Sequence, residues 1–129
     1  MLRFRPISFL VFPIFIFFYS CNKGATPAGP ENVSYSADIQ PIFDDSCIFS
    51  GCHGGSEAGG LNLTSYEELM EGDSENGPVV IPYESENSIL VKKLIDPPFG
   101  DRMPMGRPPL NRDKIKQIEM WIDEGAMKN

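Results

Sequence analysis

Cys47-Ile48-Phe49-Ser50-Gly51-Cys52-His53 is the stretch on which the reading of this chain turns. A Cys-x-x-Cys-His run is the common signature of covalent haem attachment, and here four residues rather than two separate the cysteines. The chemistry says which part of the run must be strict. Two thiols add to vinyl groups on neighbouring pyrroles, and the imidazole after the second cysteine is carried under the iron as an axial ligand. The Cys52-His53 adjacency is therefore fixed, whereas the loop between the cysteines is free to bulge if its residues permit. Ser50 and Gly51 supply that freedom.

Three other chemistries fit the same heptad. Cys47 and Cys52 could form a local disulfide with His53 a bystander. They could bind zinc, but a closed structural site needs about four ligands and the domain has no further Cys or His. A Cys-His pair could act as a nucleophile, although two exported cysteines this close would oxidise together. Haem and disulfide are the two readings that the heptad leaves in contention.

The chain has 129 residues, enough for one domain, and 12 prolines with 12 glycines imply short elements joined by stiff turns. A formal charge of −7 argues against a nucleic-acid partner, because an acidic chain is poorly suited to neutralising phosphates. Arg3 and Arg5 precede a nearly continuous apolar run from Ile7 to Tyr19, the length of a secretory h-region and short for a membrane span. Phe18-Tyr19-Ser20-Cys21 then resembles a bacterial lipobox, with Phe18 in place of the usual leucine. Residues 1–20 are expected to be a lipoprotein signal peptide and Cys21 the lipidated residue, anchoring an exported protein at a periplasmic or outer-membrane face. Loss of Arg3 and Arg5 leaves nine basic residues against eighteen acidic, a balance of −9. Residues 21–34 read as a lipid-anchored flexible tether and residues 35–129 as one folded unit.

Within that unit the periodicity predicts four short helices and little or no sheet. The first spans about Ser36 to Cys47, with Ile39, Ile42 and Phe43 on one face and Pro41 near its first turn. The second has a capping-box pattern in Thr64 and Glu67 and stops at Gly72. The third starts near Ser85, carries Ile89, Leu90, Leu94 and Ile95, and ends before Pro97-Pro98. The fourth is capped by Asn111, stapled by Leu110 onto Ile115, buried through Ile115, Ile118, Trp121 and Ile122, and closed by Gly125.

Asp38-Ile39-Gln40-Pro41-Ile42-Phe43, the Cys-His heptad, Gly59-Gly60-Leu61-Asn62-Leu63, Val80-Ile81-Pro82, Arg102-Met103-Pro104-Met105-Gly106 and Trp121-Ile122-Asp123-Glu124-Gly125-Ala126 occur in that order. In this pattern residues 36–127 resemble the cytochrome c-like domains of planctomycetes and related bacteria. The resemblance implies an all-α, small cytochrome c-like fold, with about four short helices around one covalent haem c. It implies Cys47 and Cys52 as attachment residues and His53 as an axial ligand. It also implies a methionine sixth ligand on the loop before the last helix, which is Met103, with Met105 as runner-up. Leu61 stands where many small cytochromes c present a carbonyl to the histidine's other nitrogen. Ile42, Phe43, Leu63, Leu94 and Trp121 are expected around the macrocycle, and Arg102 is either a propionate partner or a solvated loop charge.

The function expected from these residues is one-electron carriage without enzymatic activity. The acidic chain suggests redox protein partners with a basic docking patch. Two alternatives stand beside it: a haem enzyme or sensor with an open iron site, and a haem-free lipoprotein stapled by Cys47–Cys52.

Overall fold

The computed structural model describes residues 32–129 except Ser56, Glu57 and Glu75. The expected signal peptide, the expected lipidation site at Cys21 and most of the expected tether lie outside the described residues. Val33 and Ser34, read from sequence as the end of the tether, belong to the fold. Val33 is 2% exposed, and its N–H donates to Glu124 Oε2 at 2.9 Å.

The first predicted helix is split by its proline. Pro41 has no N–H for the carbonyl four residues back, and the turn ahead of it is wide. Tyr35–Ile39 forms a π-helical turn that runs into α1, Gln40–Ser46. Ser34 caps this assembly reciprocally: its hydroxyl accepts from Ala37 N at 3.2 Å, and its own N–H donates to Asp38 Oδ2 at 2.8 Å. The helix ends by delivering Cys47, whose N–H donates to Phe43 O at 2.8 Å.

α2 is Tyr66–Glu71, and its cap is Ser65 rather than Thr64. The Ser65 hydroxyl accepts from Glu68 N at 3.2 Å, while Thr64 donates from both its N–H and its hydroxyl to Asn62 Oδ1. Gly72 closes the helix, as the sequence predicts. A Cβ there would lie 2.7 Å from Leu61 Cδ1 and 2.9 Å from Leu69 O, so the position admits only glycine without a shift. A two-residue antiparallel ribbon follows, β1 (Asp73–Ser74) with β2 (Gly77–Pro78), pairing Asp73 with Pro78 and Ser74 with Gly77.

α3 covers Ile89–Ile95 and starts later than the sequence suggests. Ser85 and Ser88 take the intervening backbone out of the helix, because serine side chains offer it local partners. Ser88 Oγ accepts from Ile81 N at 2.8 Å, and Ser85 binds Asp123 through both its N–H and its hydroxyl. α4, Arg112–Asp123, is as read. The Asn111 side chain accepts from Asp113 N at 2.7 Å, and Ile115, Ile118, Trp121 and Ile122 are buried.

The helices meet around one apolar core that includes Ile39, Phe43, Leu69, Val91, Ile118 and Trp121. At one end Tyr35, Tyr66 and Trp121 pack ring against ring, with centroids 5.1 Å apart for the two tyrosines and 5.4 Å for Tyr35 and Trp121. Their polar tips are satisfied: Tyr66 OH donates to Ala126 O and Trp121 Nε1 to Met127 O. The fold is thus all-α with a minimal ribbon, and its connections are long.

The observed cap makes a direct test. Ser65→Ala is expected to cost about 1 kcal/mol in urea unfolding by losing the Glu68 hydrogen bond. Thr64→Ala, which leaves that cap intact, should cost less; the reverse order would return the cap to Thr64.

Candidate functional site

The stretched Cys47–Cys52 loop is folded into tight turns that absorb its two additional residues. Phe49 N donates to Cys47 O at 3.2 Å and Cys52 N to Phe49 O at 2.9 Å. His53 N returns to Cys47 O at 3.3 Å. Gly51 sits at φ +80, a left-handed conformation that side chains rarely adopt. The freedom expected of Ser50-Gly51 is therefore used at Gly51, and it sets His53 against the first cysteine's backbone.

His53 has a defined tautomer. Its Nδ1 lies 3.2 Å from the Leu61 carbonyl. A carbonyl only accepts, so Nδ1 carries a proton, and in the neutral ring the lone pair is the one on Nε2. Leu61 is in turn fixed by its neighbours: Leu63 N donates to His53 O at 2.8 Å, and Gln40 Nε2 donates to Leu63 O at 3.0 Å. Tyr35 OH donates to Gln40 Oε1 at 2.5 Å, so the aromatic end of the core reaches this segment through one side chain.

His53 and Cys47 line a hollow of about 360 Å³ that is enclosed mainly by apolar groups, with Met103 and Met105 among them. A smaller hollow of about 80 Å³ adjoins it and is lined by both cysteines, His53 and the same two methionines. The structure thus gathers every predicted site residue within the described chain: Cys47, Cys52, His53, Met103 and Met105. The two methionines differ in setting. Met103 is half-buried and packs against the core, and its N–H donates to Lys93 O at 2.8 Å, tying the loop to the end of α3. Met105 is 64% exposed.

Other expectations are corrected. Leu63 and Leu94 line the larger hollow, but Ile42, Phe43 and Trp121 do not; they are spent in the core behind it. Arg102 lines neither hollow, and its Nη1 donates to Met103 O at 3.2 Å. The cations on the walls are Lys93 and Arg107, which sequence reading missed. Periodicity gave no signal for them, because which way a helix-end lysine turns depends on tertiary rotation.

Cys47 and Cys52 are free thiols. Burial, with Cys52 beside it, pushes the Cys47 thiol from 9.0 up to about 11. Among the described residues no cluster of three or more His, Cys, Asp or Glu could hold a metal ion by itself. The donor set does suit a haem: two thiols for its vinyl groups, an imidazole whose Nε2 is not used in the Leu61 hydrogen bond, thioethers in the same hollow, and apolar walls.

Comparison with known proteins follows the same lines. Residues 47–105 match the family model described as Planctomycete cytochrome C. Among solved structures, the hydrazine synthase of Kuenenia stuttgartiensis is similar, at 28% identity and a TM-score of 0.52. The alignment covers 73% of this chain and 16% of that one, so the likeness extends to a small part of the larger protein. No curated protein matches the chain.

The raised Cys47 thiol has a measurable consequence. In haem-free protein at pH 9, iodoacetamide should alkylate folded Cys47 on the order of tenfold or more slowly than in urea, since the thiolate is the reactive form. Equal rates would mean that Cys47 is not shielded.

Proposed function

From the membership of residues 47–105 in the planctomycete cytochrome c family, we propose that this chain is a one-electron carrier holding a single haem c. The chain is a c-type cytochrome, and its family implies covalent haem. The finer reading assigns the thioether bonds to Cys47 and Cys52, the axial positions to His53 and Met103, and no enzymatic activity. The observation that carries it is the oriented imidazole: Nδ1 held at 3.2 Å from Leu61 O leaves Nε2 as the nitrogen available to an iron.

When bound, the haem supplies the one-electron chemistry. The chain's own residues hold it and shape its surroundings. His53 offers a nitrogen whose ring orientation is set before any metal arrives. Met103, secured through its backbone to Lys93, offers a soft neutral thioether, which favours the ferrous state over the ferric one. Leu61, Leu63, Leu94 and their neighbours exclude water, and exclusion of water disfavours the additional charge of an oxidised centre in the same direction. With both His53 and Met103 holding a haem iron, no site on it would be left for a substrate, which would favour carriage over catalysis.

The proposal extends to the N-terminal segment: residues 1–20 a signal peptide, Cys21 lipidated, residues 35–129 the functional unit, exported and membrane-attached through the lipid. Among the described residues no helix is long and apolar enough to cross a membrane. Attachment through Cys21 is tested separately, since Cys21→Ser should release the protein from membranes, and retention would count against a lipid anchor.

Haem staining after denaturing electrophoresis, with cytochrome c maturation enzymes co-expressed, tests the central claim. A stained band is expected from the wild type and none from a Cys47→Ser/Cys52→Ser double variant. An unstained wild type would leave the disulfide-stapled lipoprotein. Met103→Ala should abolish the oxidised protein's methionine–iron charge-transfer band, admit carbon monoxide rapidly and lower the potential, whereas Met105→Ala should do none of these. The opposite pattern would move the ligand to Met105, and no effect from either would leave the iron open.

A further inference from the structure

The chain is acidic, yet its charges are segregated. No Lys or Arg occurs between Lys23 and Lys92, while residues 92–116 hold seven basic residues against three acidic, a balance of +4. That basic segment includes the end of α3 and the loop carrying Met103, so it supplies one side of the hollow around His53.

The charges that reach the hollows are of one sign. Among the described lining residues of both, the charged ones are Lys93 and Arg107. Each is held by an aromatic ring. The Arg107 guanidinium lies 3.8 Å from the centroid of Phe49 in the cysteine loop. Lys93 Nζ lies 4.8 Å from the Phe99 centroid and donates to Phe99 O at 2.8 Å. Arg102 adds a third cation on the same loop, bound to Met103 O. Met105, which lines both hollows, presents a large apolar side chain that is 64% exposed. Of the acids on adjoining segments, Asp45 is held by Lys114 at 3.0 Å, and Asp96 and Asp101 are exposed. Glu57 lies outside the described residues.

We propose that this rim, Met105 with Lys93 and Arg107, is the face through which electrons pass, and that the partner presents a carboxylate-rich surface to it. The proposal rests on the electron-carrier reading. It sets the sign of the partner's patch against the chain's net charge, which alone would select a basic partner. The local charges govern the contact, because exposed charges act across about one Debye length, roughly 8 Å at physiological ionic strength. More distant acids steer more weakly and are screened first. Ring-held cations have little rotamer freedom left to lose on docking, and an apolar centre with a charged rim suits a transient interface.

Small redox reagents read the sign of this face directly. The reduced holoprotein is mixed by stopped flow with hexacyanoferrate(III), an anion, or tris(phenanthroline)cobalt(III), a cation, over a range of salt. Each takes one electron from ferrous haem, leaving ferric haem and the reduced complex. The expected result is that the anion's rate falls as salt rises. Arg107→Gln combined with Lys93→Gln should slow the anion roughly threefold or more at low salt, while Lys116→Gln on exposed α4 should not. An anion rate that rises with salt would overturn the docking face, because the acidic body would then control approach. The wild-type salt dependence decides this even where the double variant fails to take up haem. A stained, haem-loaded protein that reacts with neither reagent would overturn the carrier reading itself.

Discussion

The hydrogen bond from His53 Nδ1 to the Leu61 carbonyl is the constraint around which the rest of this site is built. A single such bond contributes only about 1 kcal/mol net. Its importance is directional, since it fixes the tautomer and ring plane of the only histidine in the chain. What fixes the carbonyl is the body of the domain. Gly72 lets α2 approach Leu61 more closely than any Cβ would allow. Leu63, two residues on, is pinned by His53 O and by Gln40. Gln40 is pinned by Tyr35, and Tyr35 by its packing on Tyr66 and Trp121. Core packing is converted in four contacts into the orientation of one imidazole.

The other side of the hollow is secured by a different device. The Met103 loop is rich in proline, so its backbone has few conformations to lose, and two points fasten it. Met103 N binds the end of α3 through Lys93 O, and Arg107 rests on Phe49 of the cysteine loop. The residues that bracket the loop's methionines therefore touch both the scaffold and the segment that carries Cys47 and Cys52. Phe49, one of the residues between the two cysteines, gives Arg107 the ring on which it rests.

Much of this was legible in sequence, and the parts that were not share a cause. α4 could be read to its ends because its cap, apolar stripe and terminating glycine are all local signals. The placement of His53 against Leu61 came from a motif resemblance, and the structure reproduces it. Thr64 and Ser65 are both competent caps, and only the tertiary path, with Thr64 committed to Asn62, selects Ser65. Ser85 and Ser88 carry helix-start chemistry, yet their side chains bind Asp123 and Ile81 and delay α3. Phe43 and Trp121 were indistinguishable by composition from wall residues such as Leu63; three-dimensional packing puts them behind the wall.

The buried thiol bears on the disulfide alternative. Disulfide formation proceeds through the thiolate, so its rate depends on how much thiolate the fold permits. With Cys47 pushed up to about 11 by burial and by Cys52, nearly all of it is protonated at neutral pH. The linkage has a definite sign. A thiol raised in the fold adds stability below its ordinary value, and that contribution is lost as pH climbs from 9.0 toward 11. The folded domain thus keeps Cys47 as a protonated thiol at neutral pH, one of the two groups a haem needs for attachment. A disulfide begun by attack from Cys47 would be slowed by that burial.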